Sequence, residues 1–222
     1  MHLYDVREKT VVVVDILRAT SCMTTAFAHG VKSITPMASL DECLGMKRLG
    51  FITSGERNGE KVDGFDKGNS PFEYMGVDIR DKKIAFTTTN GTQAIGKSKN
   101  ARELLIGSFL NLSTVVSHLK QTKNSILILC SGWKGRVNLE DTLFGGAVVE
   151  QLQDIAVPDC DAPLAALHLY QKAKTDMMSF LGESSHVKRL NRLNIHKDIE
   201  FCLTADQYPV LPKLTGNELV LE

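Results

Sequence analysis

The chain has 222 residues, and its 26 lysines and arginines balance 26 aspartates and glutamates. Zero net charge supplies no field to draw in nucleic acid or an anionic membrane, and no apolar run approaches the ~20 residues of a membrane span. The length suits one large domain, which is assigned to residues 1–222 because no linker composition divides it. Met1-His2-Leu3-Tyr4-Asp5-Val6-Arg7 has no apolar signal region. Five cysteines without a Cys-x-x-Cys pair point to a reduced, cytoplasmic compartment.

The first element is the run Val11-Val12-Val13-Val14, four β-branched residues that read as a strand buried on both faces. It stops at Asp15. Thr20 or Ser21 is expected to cap a helix over residues 20–29, which Gly30 closes. Residues 31–36 form a second strand, and Ser39-Leu40-Asp41-Glu42 is a capping box for a helix ending at Gly50. Residues 51–54 are a third strand, followed by a glycine-rich loop over 58–71 with no apolar period, long enough to suggest function. Strands over 83–86, 102–106 and 125–130 follow, each leading through a polar turn into a helix, the last of which spans 138–152. Six alternations of strand and helix predict an α/β fold: a three-layer sandwich with a mostly parallel central sheet and helices on both faces. Beyond Pro158 the pattern changes to helices over 161–173 and 185–193, with one strand signal at Leu219-Val220-Leu221. This tail reads as a helical C-terminal layer.

Polar groups collect at the strand ends: Asp15 with Arg18, Glu56 with Arg57, Thr87 to Thr92, Ser108 with Asn111, and Cys130 to Trp133. In a parallel sheet these ends share one edge, where ligands bind. Arginine forks and free backbone N–H groups suit an anion such as phosphate or sulfonate. Carboxylates beside an anion repel it unless a cation lies between, and a hard divalent ion, most simply Mg²⁺, resolves the conflict. Each piece also has a bland reading, since Glu140 and Asp141 suit the first turn of any helix and the threonines can satisfy their own turn. The histidines, His186 among them, show no metal-ligand spacing and read as surface or core.

Cys130 and Arg136 match the Cys-x5-Arg spacing of phosphatases that attack phosphorus with a thiolate. Five cysteines and nine arginines make that spacing common by chance, Leu129 stands where a histidine is usual, and Trp133 where a glycine is usual. Cys130 is therefore read as a strand-end residue near the ligand.

Asp15-Ile16-Leu17-Arg18-Ala19-Thr20-Ser21, Gly55-Glu56-Arg57, Gly64-Phe65-Asp66, Gly68-Asn69-Ser70-Pro71, Thr87-Thr88-Thr89-Asn90-Gly91-Thr92, Gly107-Ser108-Phe109 with Asn111, and Gly132-Trp133 with Leu139-Glu140-Asp141 together resemble the 2-phosphosulfolactate phosphatase family. The likeness is fainter after Pro158, where Ser185-His186, Asp198-Ile199 and Asp206 are similar. The resemblance implies a Mg²⁺-dependent phosphatase that converts 2-phosphosulfolactate, or another small phosphorylated hydroxy acid, to its hydroxy acid and phosphate on the way to coenzyme M. Carried over residue by residue, it implies Asp15, Arg18 and Asp141 as catalytic; Arg57, Asn69, Ser70, Thr88, Thr89, Asn90, Gly91, Thr92, Ser108 and Asn111 as substrate-binding; and Glu56, Asp66 and Glu140 as metal ligands. Two other classes could use the same groups, a non-catalytic anion-binding protein and a phosphotransferase.

Overall fold

The computed structural model describes residues 4–221, so the signal-region reading, which includes Met1 to Leu3, falls partly outside them. In chain order the elements are β1 (Lys9–Val14), α1 (Ala19–Ala28), β2 (Ser33–Pro36), α2 (Leu40–Gly45), β3 (Ile52–Arg57), β4 (Glu60–Lys61), β5 (Lys83–Thr87) and α3 (Gly91–Lys97). They continue with β6 (Glu103–Gly107), α4 (Leu112–Leu119), β7 (Ser125–Cys130), α5 (Leu139–Leu152), α6 (Asp161–Ala173), α7 (Met177–Leu181), α8 (Ser185–Asn191), α9 (His196–Cys202), β8 (Lys213–Thr215) and β9 (Glu218–Val220). The α/β class holds, and the strand-to-helix sequence is as expected through α6 except for β4, a two-residue strand on β3 inside the stretch read as a loop.

The sheet itself departs from expectation. Its order is β4-β3-β5-β2-β9-β8-β6-β1-β7, and it is mixed, not mostly parallel. Two parallel wings, β3-β5-β2 and β6-β1-β7, are joined by the hairpin β8-β9. The tail is therefore more than a helical layer, because its last residues pair with β2 and β6 in the middle of the sheet. Each step from β2 to β9, β8 and β6 is antiparallel, so three reversals make the two wings run in opposite directions along the ladder.

A shared strand edge consequently cannot bring the loop ends of the two wings together, and packing does it instead. The Val alternation of β1 divides the core: Val12 and Val14 face a cluster with Val115 and Val116 of α4 and Leu143 and Phe144 of α5, while Val11 and Val13 face α1 and α3. That second cluster also contains Ile34 of β2, Ile84 and Phe86 of β5, and Leu104 and Ile106 of β6. Both wings thus close on the same helices, with strand twist accumulating across the sheet between them. At the far side Gly55 admits the ring of Phe65, which a Cβ would meet at 2.7 Å, and so the long loop lies down on β3.

Candidate active site

The end of β1 is held by its own next turn. The Asp15 N–H donates to Thr20 Oγ1 (3.0 Å), the Thr20 N–H and hydroxyl both return to the Asp15 carbonyl (3.0 Å each), and Ser21 Oγ donates to the Ile16 carbonyl at 2.8 Å. These two hydroxyls tie α1 to the strand end in place of capping it, and Arg18 occupies the N-cap position without a side-chain cap bond. Asp141, in the first turn of α5, accepts the Ile16 N–H at 2.9 Å and the Gly132 N–H at 3.1 Å, clamping the ends of β1 and β7 together. From the other wing Glu56 accepts the Gly59 N–H (2.6 Å), the Thr89 N–H (3.2 Å) and the Thr89 hydroxyl (3.4 Å). Gly91 fits between the wings: a Cβ there would lie 2.7 Å from the Ala19 Cβ and 3.0 Å from Asp15 Oδ2.

The result is a buried centre with four acids, Asp15, Glu56, Glu140 and Asp141. Burial pushes the Asp15 carboxyl up to about 6; the charge of His186 pulls it back, and Glu56 and Glu140 add to the rise. Asp141 is raised well above the usual carboxylate range by burial, then by Glu140 and Asp15. One side-chain oxygen of Glu140 pairs with His186 Nδ1, whereas the other, Oε2, is buried without a hydrogen-bond partner among the described residues. An unsatisfied, fully buried carboxylate oxygen among like charges is costly unless a cation or proton meets it.

The predicted residues divide sharply. Asp15, Glu56, Glu140 and Asp141 come together. Arg18 is buried and occupied, paired with Asp198 at 2.5 Å and donating to the Gly59 carbonyl at 2.9 Å. Arg57 donates to the Glu56 carbonyl (2.6 Å), Thr87 Oγ1 (3.0 Å) and the Ala38 carbonyl (3.4 Å). Thr88 and Thr92 satisfy each other across the turn into α3, leaving Thr89 and Asn90 half-exposed beside Glu56 and Gly91. Asn69 Oδ1 is buried without a partner among the described residues, and the bridge between Ser54 and Lys67 directs its segment alongside β3; Ser70 is the N-cap of the turn that follows.

Three predicted residues have other partners. Ser108 and Asn111 are fully buried and bond to each other, to Thr24, and to the Ile106 and Val210 carbonyls, so their polar atoms hold the β6 turn and the tail. Asp66 accepts the Thr53 N–H and hydroxyl at 2.9 Å each and pairs with Lys47, which anchors the long loop near the start of β3. The Cys130 thiol is driven up by burial and by Asp141 and Glu140, away from the thiolate a nucleophile needs. Residues 133–136 close on themselves, Trp133 and Arg136 exchanging backbone hydrogen bonds of 2.9 Å.

Sequence reading set aside His186 and did not single out Arg189. Both come from α8 and enter the site, His186 on Glu140 and Arg189 with its guanidinium 4.0 Å from the centre of the Trp133 ring. Their i, i+3 spacing, which puts two residues on one helical face, was the available signal. Among the described residues no three His, Cys, Asp or Glu side chains form a ready-made metal cage.

Fold and site together define an α/β protein with a buried polyacidic centre fed from two oppositely directed wings. The chain belongs to the 2-phosphosulpholactate phosphatase family, whose profile matches residues 1–217. A protein of Thermotoga petrophila is 41% identical over 216 residues, covering 96% of this chain and 92% of its own, and one of Caldanaerobacter subterraneus subsp. tengcongensis is 37% identical over 218 residues, covering 96% and 90%. A third, from Clostridium acetobutylicum, is 36% identical over 220 residues, covering 97% and 93%. All three carry the name probable 2-phosphosulfolactate phosphatase.

Proposed function

We propose that this chain is a Mg²⁺-dependent phosphatase that hydrolyses 2-phosphosulfolactate, or a closely similar small phosphorylated hydroxy acid, to the hydroxy acid and phosphate, as a step toward coenzyme M. The observation that carries the reading is the acid centre itself: Asp15 and Asp141 pushed upward, and Glu140 Oε2 buried without a partner. Such a centre repels a phosphate unless a cation stands between them. Mg²⁺ suits it, because that ion takes one or two carboxylates and completes its shell with water and substrate oxygens, so a closed protein cage is not required. Glu140, through its unpartnered Oε2, would hold it, with Glu56 at the side of the other wing, and the ion would neutralise phosphoryl oxygens as the P–O bond breaks.

The chain's own groups supply the rest. Asp15, with a carboxyl that titrates near neutrality, accepts the proton of a water attacking phosphorus, and that proton serves to neutralise the departing alkoxide. Asn90 offers a half-exposed amide to the phosphoryl oxygens, next to Gly91, whose missing side chain lets α3 pack closely on Ala19 and Asp15. Asp141 positions, holding the ends of β1 and β7 at a fixed separation. Arg18 positions too, by tying α1 to Asp198 and to the loop carbonyl of Gly59. No helix is long and apolar enough to cross a membrane among the described residues, and five free cysteines fit the cytoplasmic setting we propose.

The test is phosphate release from 2-phosphosulfolactate. Release should stop on chelation and return when Mg²⁺ is added. Full turnover in chelator would overturn the metal assignment, and no release from this or related phosphorylated hydroxy acids with Mg²⁺ present would overturn the phosphatase reading.

A further inference from the structure

Three arginines reach the acid centre, and their donors are committed to different degrees. Arg18 is buried and spent on Asp198 and the Gly59 carbonyl. Arg57 is spent on two carbonyls and a threonine hydroxyl. Arg189 is half-buried and makes no side-chain hydrogen bond or ion pair among the described residues. Its guanidinium carbon lies 4.0 Å from the centre of the Trp133 indole, with the Lys134 ammonium 4.7 Å from the centre of the same ring. A cation–π contact of this kind braces the guanidinium without using any of its N–H donors, which remain available to an oxyanion.

Its surroundings define what it can hold. Glu140 and Glu56 both act on its charge, so it stands beside the acid centre and not on a remote surface. His186, one turn earlier on α8, is the residue that touches Glu140, so the same short helix that completes the acid centre presents Arg189 next to it. Trp133 lies one residue after Gly132, whose N–H is bound by Asp141. A small molecule whose phosphoryl group occupies the acid centre would therefore bring its other end to an arginine on an aromatic platform. Guanidinium is weakly hydrated and matches a large, weakly hydrated oxyanion.

We propose that Arg189, braced by Trp133, is the specificity-determining residue that binds the sulfonate of the substrate. The proposal rests on the phosphatase reading for its kinetic arm only. Its binding arm is independent, because Trp133 is the only tryptophan in the chain and its fluorescence reports directly on this platform.

Sulfolactate should change the Trp133 fluorescence saturably in the wild type and bind at least ~10-fold more tightly than lactate, as one charge-assisted contact contributes. Arg189→Ala and Arg189→Gln should both abolish that preference while melting within a few degrees of the wild type. With Mg²⁺ present, Arg189→Ala should lower kcat/KM for 2-phosphosulfolactate by roughly 30-fold, mainly through KM, and leave 2-phospholactate within about threefold. Arg189→Lys should recover part of the preference through charge alone. Equal losses on both substrates would assign Arg189 to the phosphoryl or carboxylate group and overturn the proposal, as would an undiminished sulfolactate preference in the Ala and Gln variants. Sulfolactate binding without phosphate release would fail the phosphatase reading and keep this one; turnover with selectivity unchanged in the variants would do the opposite.

Discussion

A single carboxylate, Glu103, and a cluster of four stand at opposite ends of β1, and their carboxyls are shifted in opposite directions. At its start Glu103 accepts the Thr10 hydroxyl at 3.2 Å, His118 Nε2 at 3.0 Å and Lys213 Nζ at 3.1 Å. Burial alone would raise its carboxyl, but His118 and Lys213 hold it below the usual range. At its end Asp15 and Asp141 are raised by burial and by neighbouring acids, while the adjacent Arg18 is committed to Asp198. A carboxylate enclosed with its own cations is kept ionised and fastens elements together. One enclosed with other carboxylates is held ready for a cation or proton that the fold does not supply, and such perturbed acids concentrate at functional sites.

Removing the excess charge is the most severe way to break this contrast. Asp15→Asn should lower kcat/KM by about 10³-fold, the range seen when one charge-stabilising group is deleted. In metal-free buffer near neutrality it should also melt higher than the wild type. The sign follows from the raised carboxyl: between the unfolded value of 3.8 and the folded value of about 6 the native state holds the proton that the unfolded chain has released, so stability falls as pH rises through that window. Asn removes that loss. Below pH 4 the two proteins should melt alike, and a variant that is both inactive and less stable at every pH would refute the contrast.

Arg18 tests the paired part of the same centre. Arg18→Ala leaves Asp198 buried without its cation, so it should cost about 3–5 kcal/mol in urea unfolding, with activity lost because the protein unfolds. A stable Arg18→Ala variant with a specific catalytic defect would return Arg18 to the catalytic role that the family resemblance implies. The smallest effect belongs to the opposite end of β1. Glu103→Gln should cost about 1 kcal/mol at pH 7 with turnover unchanged. Because the Glu103 carboxyl is held low, its contribution is present above the unfolded value and fades as pH falls through the folded one, so the variant and wild type should converge in acid.

Much of the frame was legible because it is written in local chemistry. The β-branched run of β1, the apolar run of β7, Gly30 and Gly50 at positive φ, and the Ser39 cap accepting the Glu42 N–H all stand where the sequence puts them. β8 was not legible. Lys213-Leu214-Thr215 is too short to carry a period, and it becomes a strand only because β6 and β9 offer edges to it. The mostly parallel sheet failed for the same reason, since the reversal between the wings depends on a hairpin contributed by the last residues of the chain. The helices α7 and α9, of five and seven residues, are likewise products of packing more than of pattern.

By itself the sequence determined which groups terminate the elements: Asp15 after β1, Glu56 near the end of β3, the Thr-Asn-Gly turn after β5, and Glu140 with Asp141 opening α5. Those positions follow from apolar runs stopping at polar residues, which is a property of neighbours in the chain. Only the tertiary structure decided which of these groups would be satisfied. Arg18 met Asp198 from 180 residues away, Glu140 met His186 from 46 residues away, and Arg189 met Trp133 but paired with no carboxylate among the described residues. Whether a buried charge is neutralised depends on what the rest of the chain brings within a few ångströms of it, and no local spacing encodes that.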